Sequence, residues 1–268
     1  VNQIIYFLCE FEGNGNDMMH TVITGPPGVG KTKLGTILGD IYFNLGILKP
    51  IKKKKARFTK SKEKYPFKIV KRSDLVGKYL GHTASKTQDV IDSCDGGVMF
   101  IDEAYSLGNP EGRDSFSKEC LDTLNQNLTE KKSNFLCIIA GYKDALESCF
   151  FSYNEGLSRR FTFRYEIEKY SAKELKLIFV NMIKDINWEI HDDKKVDNFF
   201  EKNYNNFKNM AGDMETLLFN CKITHSKRVF GNDDLKKKIN IEDIEQGFNN
   251  FNNNRTTEDR SYLNSLYV

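Results

Sequence analysis

No stretch of the chain approaches the roughly 18 to 20 uninterrupted apolar residues that a membrane span requires, and its start lacks the charged-then-apolar pattern of a secretory leader. No membrane partner is expected, and the setting expected is intracellular, cytoplasmic and reducing. Charge of one sign is missing as well. Forty basic residues against 37 acidic ones leave a formal net charge of +3, so no global field demands nucleic acid or a lipid surface. The six cysteines (Cys9, Cys94, Cys120, Cys137, Cys149, Cys221) have none of the short paired spacings of zinc or thioredoxin sites and read as reduced core residues. The four histidines (His20, His82, His191, His225) have no ligand spacing, which excludes a histidine metal site. An initial methionine is also absent. The chain opens at Val1, beside an apolar run from Ile4 to Leu8, and is expected to be a piece of something longer.

What is present is enough for one large or two modest domains: 268 residues, 39% of them hydrophobic. His20-Thr21-Val22-Ile23-Thr24 is β-rich and stops at Gly25. After a glycine loop, Leu34, Ile37, Leu38, Ile41 and Leu45 recur at helical spacing. Phe67 to Val70 has strand character, and a helix carrying Val90 and Ile91 is expected after Gly81-His82-Thr83. Gly97 to Ile101 is a continuous apolar run, as in a parallel strand buried on both faces. Residues 115 to 128 place Phe116, Cys120, Leu124 and Leu128 on one helical face, and Phe135 to Ala140 reads as another buried strand. The alternation is α/β. Beyond about residue 170 the strands stop and the pattern turns helical, opening on the capping-box pair Ser171 and Glu174 and continuing through Met214, Leu217, Leu218, Cys221, Ile241, Ile244 and Phe248. A boundary is expected near 168, with helices over 169–255 and a tail over 256–268 that need not be ordered; Asn249 to Asn254 reads as the polar end of the fold.

The chemistry concentrates in two runs. Gly25-Pro26-Pro27-Gly28-Val29-Gly30-Lys31-Thr32, followed by Lys33, is a complete phosphate-binding loop between a strand and a helix. Its glycines let successive N–H groups face phosphate oxygens, while the following helix offers the same anion its positive end. Lys31 would reach the β and γ phosphates of ATP, and Thr32 would give a hydroxyl to Mg²⁺. At the end of the apolar strand, Asp102 is the expected second metal carboxylate and Glu103 the group that polarises the attacking water.

The order of these two runs with Asp74 to Thr83, Gly96 to Tyr105 and Ile139-Ala140-Gly141-Tyr142 resembles AAA+ ATPases, in particular the branch of red-type Rubisco activase and AAA proteins of large DNA viruses. The resemblance covers roughly residues 18 to 250. It implies a P-loop NTPase core of parallel sheet between helices, a C-terminal α-helical lid, and a homo-oligomeric ring, commonly a hexamer, with ATP at subunit boundaries. It also implies a host-cell setting if the chain is viral. Arg159 and Arg160 match the region of the fingers that reach a neighbour's γ-phosphate. Lys78-Tyr79-Leu80-Gly81 matches the pore loop that grips a polypeptide client, and Tyr142 falls at the polar sensor position. Glu215 stands where a phosphate-sensing arginine is common; Lys222, Lys227 and Arg228 are the cations available farther along.

Three functions stay open on the sequence. A ring that threads or tugs a polypeptide ranks first, and a nucleotide-gated scaffold with little hydrolysis second. A nucleic-acid remodeller ranks third, its best feature being the run from Lys49 to Lys64 with nine basic residues and one acid. That run reads more readily as a solvated insertion, so nucleic acid is not the favoured partner.

Overall fold

The computed structural model describes residues 18–49, 65–79, 81–108, 114–132, 135–190, 193–231 and 233–265, without the side chains of 193, 233 and 256–265. Cys9, the basic run over 50–64, Leu80 and His191 lie outside the described residues. Two compact units form. Among the described residues, one takes in 18–26 and those of 30–167; the other takes in 27–29 and those from 168 to 265.

In the first unit the order is β1 (Thr21–Thr24), α1 (Lys31–Asn44), β2 (Phe67–Val70), α2 (Arg72–Leu75), α3 (His82–Asp92), β3 (Gly97–Ile101), α4 (Ser115–Glu130), β4 (Phe135–Gly141), α5 (Lys143–Ala145), α6 (Glu155–Arg160) and β5 (Phe163–Glu166). The strands lie in the order β2-β3-β4-β1-β5, and every pairing is parallel. Parallel neighbours need long crossovers, which the helices supply. Side chains alternate between two apolar layers, as the pleat requires. Met99, Ile101, Cys137 and Ile139 face one layer with Leu121, Leu124 and Leu128 of α4; Val98, Phe100, Leu136 and Ile138 face the other with Tyr42 and Tyr65. A sheet covered on both faces explains why β3 and β4 are apolar at every position.

Helix α1 and its C-cap residue lay Leu34, Leu38, Ile41 and Leu45 of the expected stripe against the second layer, but the helix's most buried side differs. Ile37 is exposed, and the buried positions are Gly35, Gly39 and Tyr42. A Cβ on Gly35 would come within 2.6 Å of the Phe100 ring, so the absence of a side chain is what lets the helix approach the sheet. Apolar spacing alone cannot reveal a face built on glycine.

The second unit contains α7 (Ala172–Asp185), α8 (Asp193–Asn203), α9 (Ala211–Arg228) and α10 (Ile241–Ser265). The expected capping box is present: Ser171 Oγ accepts from the Glu174 N–H at 3.3 Å, and the Glu174 carboxylate accepts from the Ser171 N–H at 2.8 Å. Two expectations need correction. Strands do not stop at 170, because β6 (Glu189–Ile190) pairs in parallel with β7 (Lys238–Ile239). Two-residue strands are too short to show alternation. Nor is the Asn-rich stretch an end to the fold, since α10 runs through it and its backbone stays helical to Ser265. The core is largely aromatic: Phe179, Phe199, Phe200, Phe207, Phe248 and Phe251 meet ring to ring at 5.3 to 6.1 Å. Beside it, buried Asp243 accepts from Arg228 Nε and Nη2, each at 2.8 Å, and lies 3.1 Å from His225 Nδ1. Burial alone would raise the Asp243 pKa, but these hydrogen bonds and that from the Asn240 N–H hold it below the usual carboxylate value. Among the described residues no helix is long and apolar enough to cross a membrane.

His20, ahead of β1, is fully buried. Its Nε2 lies 2.9 Å from the Leu128 carbonyl, and the Cys137 N–H donates to Nδ1 at 3.1 Å. A carbonyl only accepts, so Nε2 carries the proton and the ring is neutral. Burial above all pushes its pKa from 6.5 down to about 4; the Leu128 hydrogen bond opposes this and the Arg160 charge adds to it. The unfolded chain therefore binds a proton that the folded chain refuses between those two values. Stability is fully present above pH 6.5 and falls on acidification at a limiting slope of about 1.4 kcal/mol per pH unit. Urea unfolding at pH 7.5 and 5.5 should show this loss, and the His20→Gln variant should show a smaller pH dependence. An unchanged pH dependence in that variant would refute the assignment.

Candidate nucleotide site

The glycine loop begins where β1 ends. Gly25 and Gly30 have φ of 154° and 83°, and Gly30 occupies the N-cap of α1 in the left-handed region, where a side chain costs roughly 1 kcal/mol. No side chain caps this helix, and its first turn, Lys31-Thr32-Lys33, holds no acid. Its first N–H groups and positive end are thus not neutralised by the helix's own residues, which is the condition for receiving an anion. Lys31 Nζ donates to the Gly25 carbonyl at 3.0 Å and the Pro26 carbonyl at 2.8 Å. Its pKa is lowered, chiefly by burial, with the carboxylates of Asp102 and Glu103 opposing the shift. Thr32 is half-buried, and its hydroxyl makes no hydrogen bond among the described residues; Lys33 is exposed.

Strand order explains how the acids meet this loop. β4 lies between β1 and β3, so its C-terminal end emerges between the glycine loop and the end of β3. The Gly25 N–H donates to the Gly141 carbonyl at 3.3 Å, and the Asp102 N–H donates to the Val70 carbonyl at 3.1 Å. Asp102 is half-buried, and Glu103 is exposed with φ 52° and ψ 46°. The Glu103 N–H donates to Asp102 Oδ1 at 3.1 Å. Tyr142, the first residue past β4, has its ring 5.6 Å from Lys31 Nζ and 5.9 Å from the Tyr105 ring. Lys31, Asp102, Glu103 and Tyr142 therefore stand together at the C-terminal edge of the sheet, where ligands of open α/β sheets bind.

The other expected residues lie elsewhere. Arg159 and Arg160 end α6 and behave differently from each other. Arg160 Nε donates to Thr129 Oγ1 at 2.7 Å and its Nη1 to the Gly156 carbonyl at 2.5 Å. Arg159 is exposed and forms no hydrogen bond or ion pair among the described residues. Lys78 and Tyr79 are exposed in the turn before α3, with Gly81 as its left-handed N-cap and the Tyr79 ring 5.6 Å from His82. In the second unit Glu215 is exposed on α9, while Asp213 beside it is buried and bonded to Asn209 and Arg255.

Two contributors escaped the sequence reading. Arg72 donates to Asp114 and Ser117 side chains and to the Ser106 carbonyl, which ties α2 to the start of α4 and to the turn after β3. Tyr105 donates from its hydroxyl to Glu103 Oε2 at 2.5 Å. Its place two residues after the acid was the only signal, and spacing alone gives it no role.

A parallel α/β sheet carrying a glycine loop, with its lysine beside an acidic strand end, defines the P-loop class of domains. The family model of the AAA proteins, the ATPase family associated with various cellular activities, matches residues 21–169, and the chain belongs to that family. It is 44% identical over 270 residues to a cfxQ-like protein of Acanthamoeba polyphaga mimivirus, an overlap covering 99% of this chain and 63% of that protein. It is 36% identical over 180 residues to a CfxQ homolog of Galdieria sulphuraria, covering 67% of this chain and 54% of the relative. Stage V sporulation protein K of Bacillus subtilis is 35% identical over 176 residues, with coverage of 66% and 50%. The chain thus spans between half and two thirds of the length of these relatives. In fold it is similar to the AAA domain of FIGL-1 in complex with ADP, with a TM-score of 0.61 at 17% identity over 91% of this chain and 76% of that one.

The contrast between the two arginines yields a measurable expectation. Arg160→Ala should lower stability in urea by about 1 to 2 kcal/mol through its two lost hydrogen bonds. Arg159→Ala should leave the unfolding midpoint unchanged, and equal losses in both variants would contradict the assignment.

Proposed function

We propose that this chain binds Mg-ATP and hydrolyses it in a homo-oligomeric ring, commonly a hexamer in its family, and that turnover threads or tugs a bound polypeptide. The observation that carries the reading is the meeting of Lys31, Asp102, Glu103 and Tyr142 beside the uncapped start of α1. The residues fit the group they would bind. Backbone N–H groups from Gly25 to Thr32, with Lys31, would hold the phosphates, and Thr32 and Asp102 would hold Mg²⁺. When bound, the metal withdraws charge from the transferring phosphate. Glu103 would take the water's proton, and Tyr142 would sense the phosphate end.

Arg159, exposed and without an ion partner among the described residues, suits a finger that reaches the site of a second copy. Arg160 is already committed within its own unit. An exposed apolar strip on α9 and just beyond it, Phe219, Ile223 and Phe230, agrees with assembly, because such patches mark contact surfaces. Tyr79, 67% exposed, with Lys78 before it and Gly81 two residues after it, suits nonspecific grip on a polypeptide client. Glu215, exposed and standing where the family resemblance expects a phosphate-sensing arginine, favours the second reading, a nucleotide-gated scaffold, since a carboxylate in that role would repel phosphate.

Mg-ATP turnover per subunit, measured across a wide range of protein concentration, tests the proposal. Turnover should rise with concentration, fall at least a hundredfold in Glu103→Gln and fall comparably in Arg159→Ala while ATP binding persists. Binding without turnover, or turnover indifferent to Glu103, would transfer support to the scaffold reading.

A further inference from the structure

Glu103 has a backbone that needs explaining. Its φ of 52° and ψ of 46° put a non-glycine residue in the left-handed region, at a cost of about 1 kcal/mol that the surroundings must offset. Its side chain is exposed, so packing does not orient the carboxylate. A free carboxylate on such a residue would sample several rotamers, and a general base is effective only within hydrogen-bond reach of its proton donor.

One described group restricts it. The short 3₁₀ turn Ala104–Leu107 carries Tyr105 back toward Glu103, and the tyrosine hydroxyl donates to Oε2 at 2.5 Å. The Tyr105 ring is itself fixed from below. It packs against the apolar layer of α3 and α4, and it lies over Gly141, where an added Cβ would come within 3.0 Å of the ring. Its other neighbour is the Tyr142 ring at 5.9 Å, next to Lys31. The side chain thus reaches the acid from a rigid base, the arrangement by which a supporting residue holds a catalytic group in place.

We infer that Tyr105 is a positioning residue for Glu103: its hydroxyl holds one carboxylate oxygen and leaves the other aimed at the water to be activated. The role rests on the ATPase reading above and adds to it the residue that orients the base.

Steady-state ATPase assays on the full chain, with Tyr105→Phe, Glu103→Gln and the double variant, test this. Phenylalanine keeps the ring over Gly141 and removes only the hydroxyl. Tyr105→Phe should lower kcat roughly tenfold, with KM for Mg-ATP, binding of a fluorescent ATP analogue and the unfolding midpoint unchanged. On the Glu103→Gln background the same change should cost no further activity, because its effect passes through that carboxylate. A kcat equal to or above that of the unaltered chain overturns the inference, as does an additive loss in the double variant. A faster Tyr105→Phe would instead identify the hydroxyl as a latch on Glu103. If the unaltered chain shows no turnover, or Glu103→Gln keeps it, the ATPase reading fails first and takes this inference with it.

Discussion

β4 is buried at all seven of its positions, from Phe135 to Gly141, and a strand in that situation has no water to satisfy its peptide groups. Both edges must be paired, and both are: one with β1 through Ile138 to Gly141, the other with β3 through Phe135 to Ile139. This ladder sets the distance between the two chemical runs of the sequence. Were β1 and β3 direct neighbours, nothing would stand between the glycine loop and the acidic strand end. With β4 interposed, Gly141 binds the loop through the Gly25 N–H, and Tyr142 is delivered between Lys31 and Tyr105.

The electrostatics of the site follow from that placement. Lys31 is partly desolvated, which works against its charge, and two nearby carboxylates work for it. Its ammonium rests on the carbonyls of its own loop, so a ligand that engages it competes with neutral oxygens and not with a tight ion pair. The acids are left similarly accessible. Asp102 accepts only from its neighbour's N–H and Glu103 only from Tyr105 among the described hydrogen bonds. Firmly committed ions are kept for structure, as with Arg72 and Asp114, where hydrogen bonds from Ser117 and the guanidinium hold the carboxyl down at about 2.

The second unit is held by other means. Its strongest polar feature is the buried Asp243, wrapped by Arg228, His225 and the Asn240 N–H, which fixes the start of α10 against the end of α9. Around it the phenylalanine cluster supplies apolar area from residues that sit far apart in sequence. The buried cysteines of both units behave as small apolar side chains. Burial pushes the Cys120 thiol up to about 11 and raises those of Cys137 and Cys221 as well, so thiolate chemistry is suppressed at each.

The sequence by itself determined the local features. A glycine loop before Lys31-Thr32, an apolar strand ending in Asp102-Glu103, and the capping box at Ser171 are short-range patterns in which each residue type has its own physical reason. Gly97 to Ile101 was legible because burial on both faces leaves a continuous apolar run, whereas Phe67 to Val70, an edge strand with Lys68 and Ile69 exposed, was legible from its β-prone residues. The tertiary structure decided whatever depends on approach between distant segments. Gly35 and Gly39 became the sheet-facing side of α1 because Phe100 and Tyr65 press there. The neutral state of His20 comes from its burial, and its tautomer is set by Leu128 and Cys137, 108 and 117 residues away. Arg159 and Arg160 are adjacent in sequence, yet only Arg160 meets Thr129 across the fold. Tyr105 acquired its contact with Glu103 from a turn that no periodicity reports. A residue type declares what it can do locally; only the packed chain decides which partner it meets.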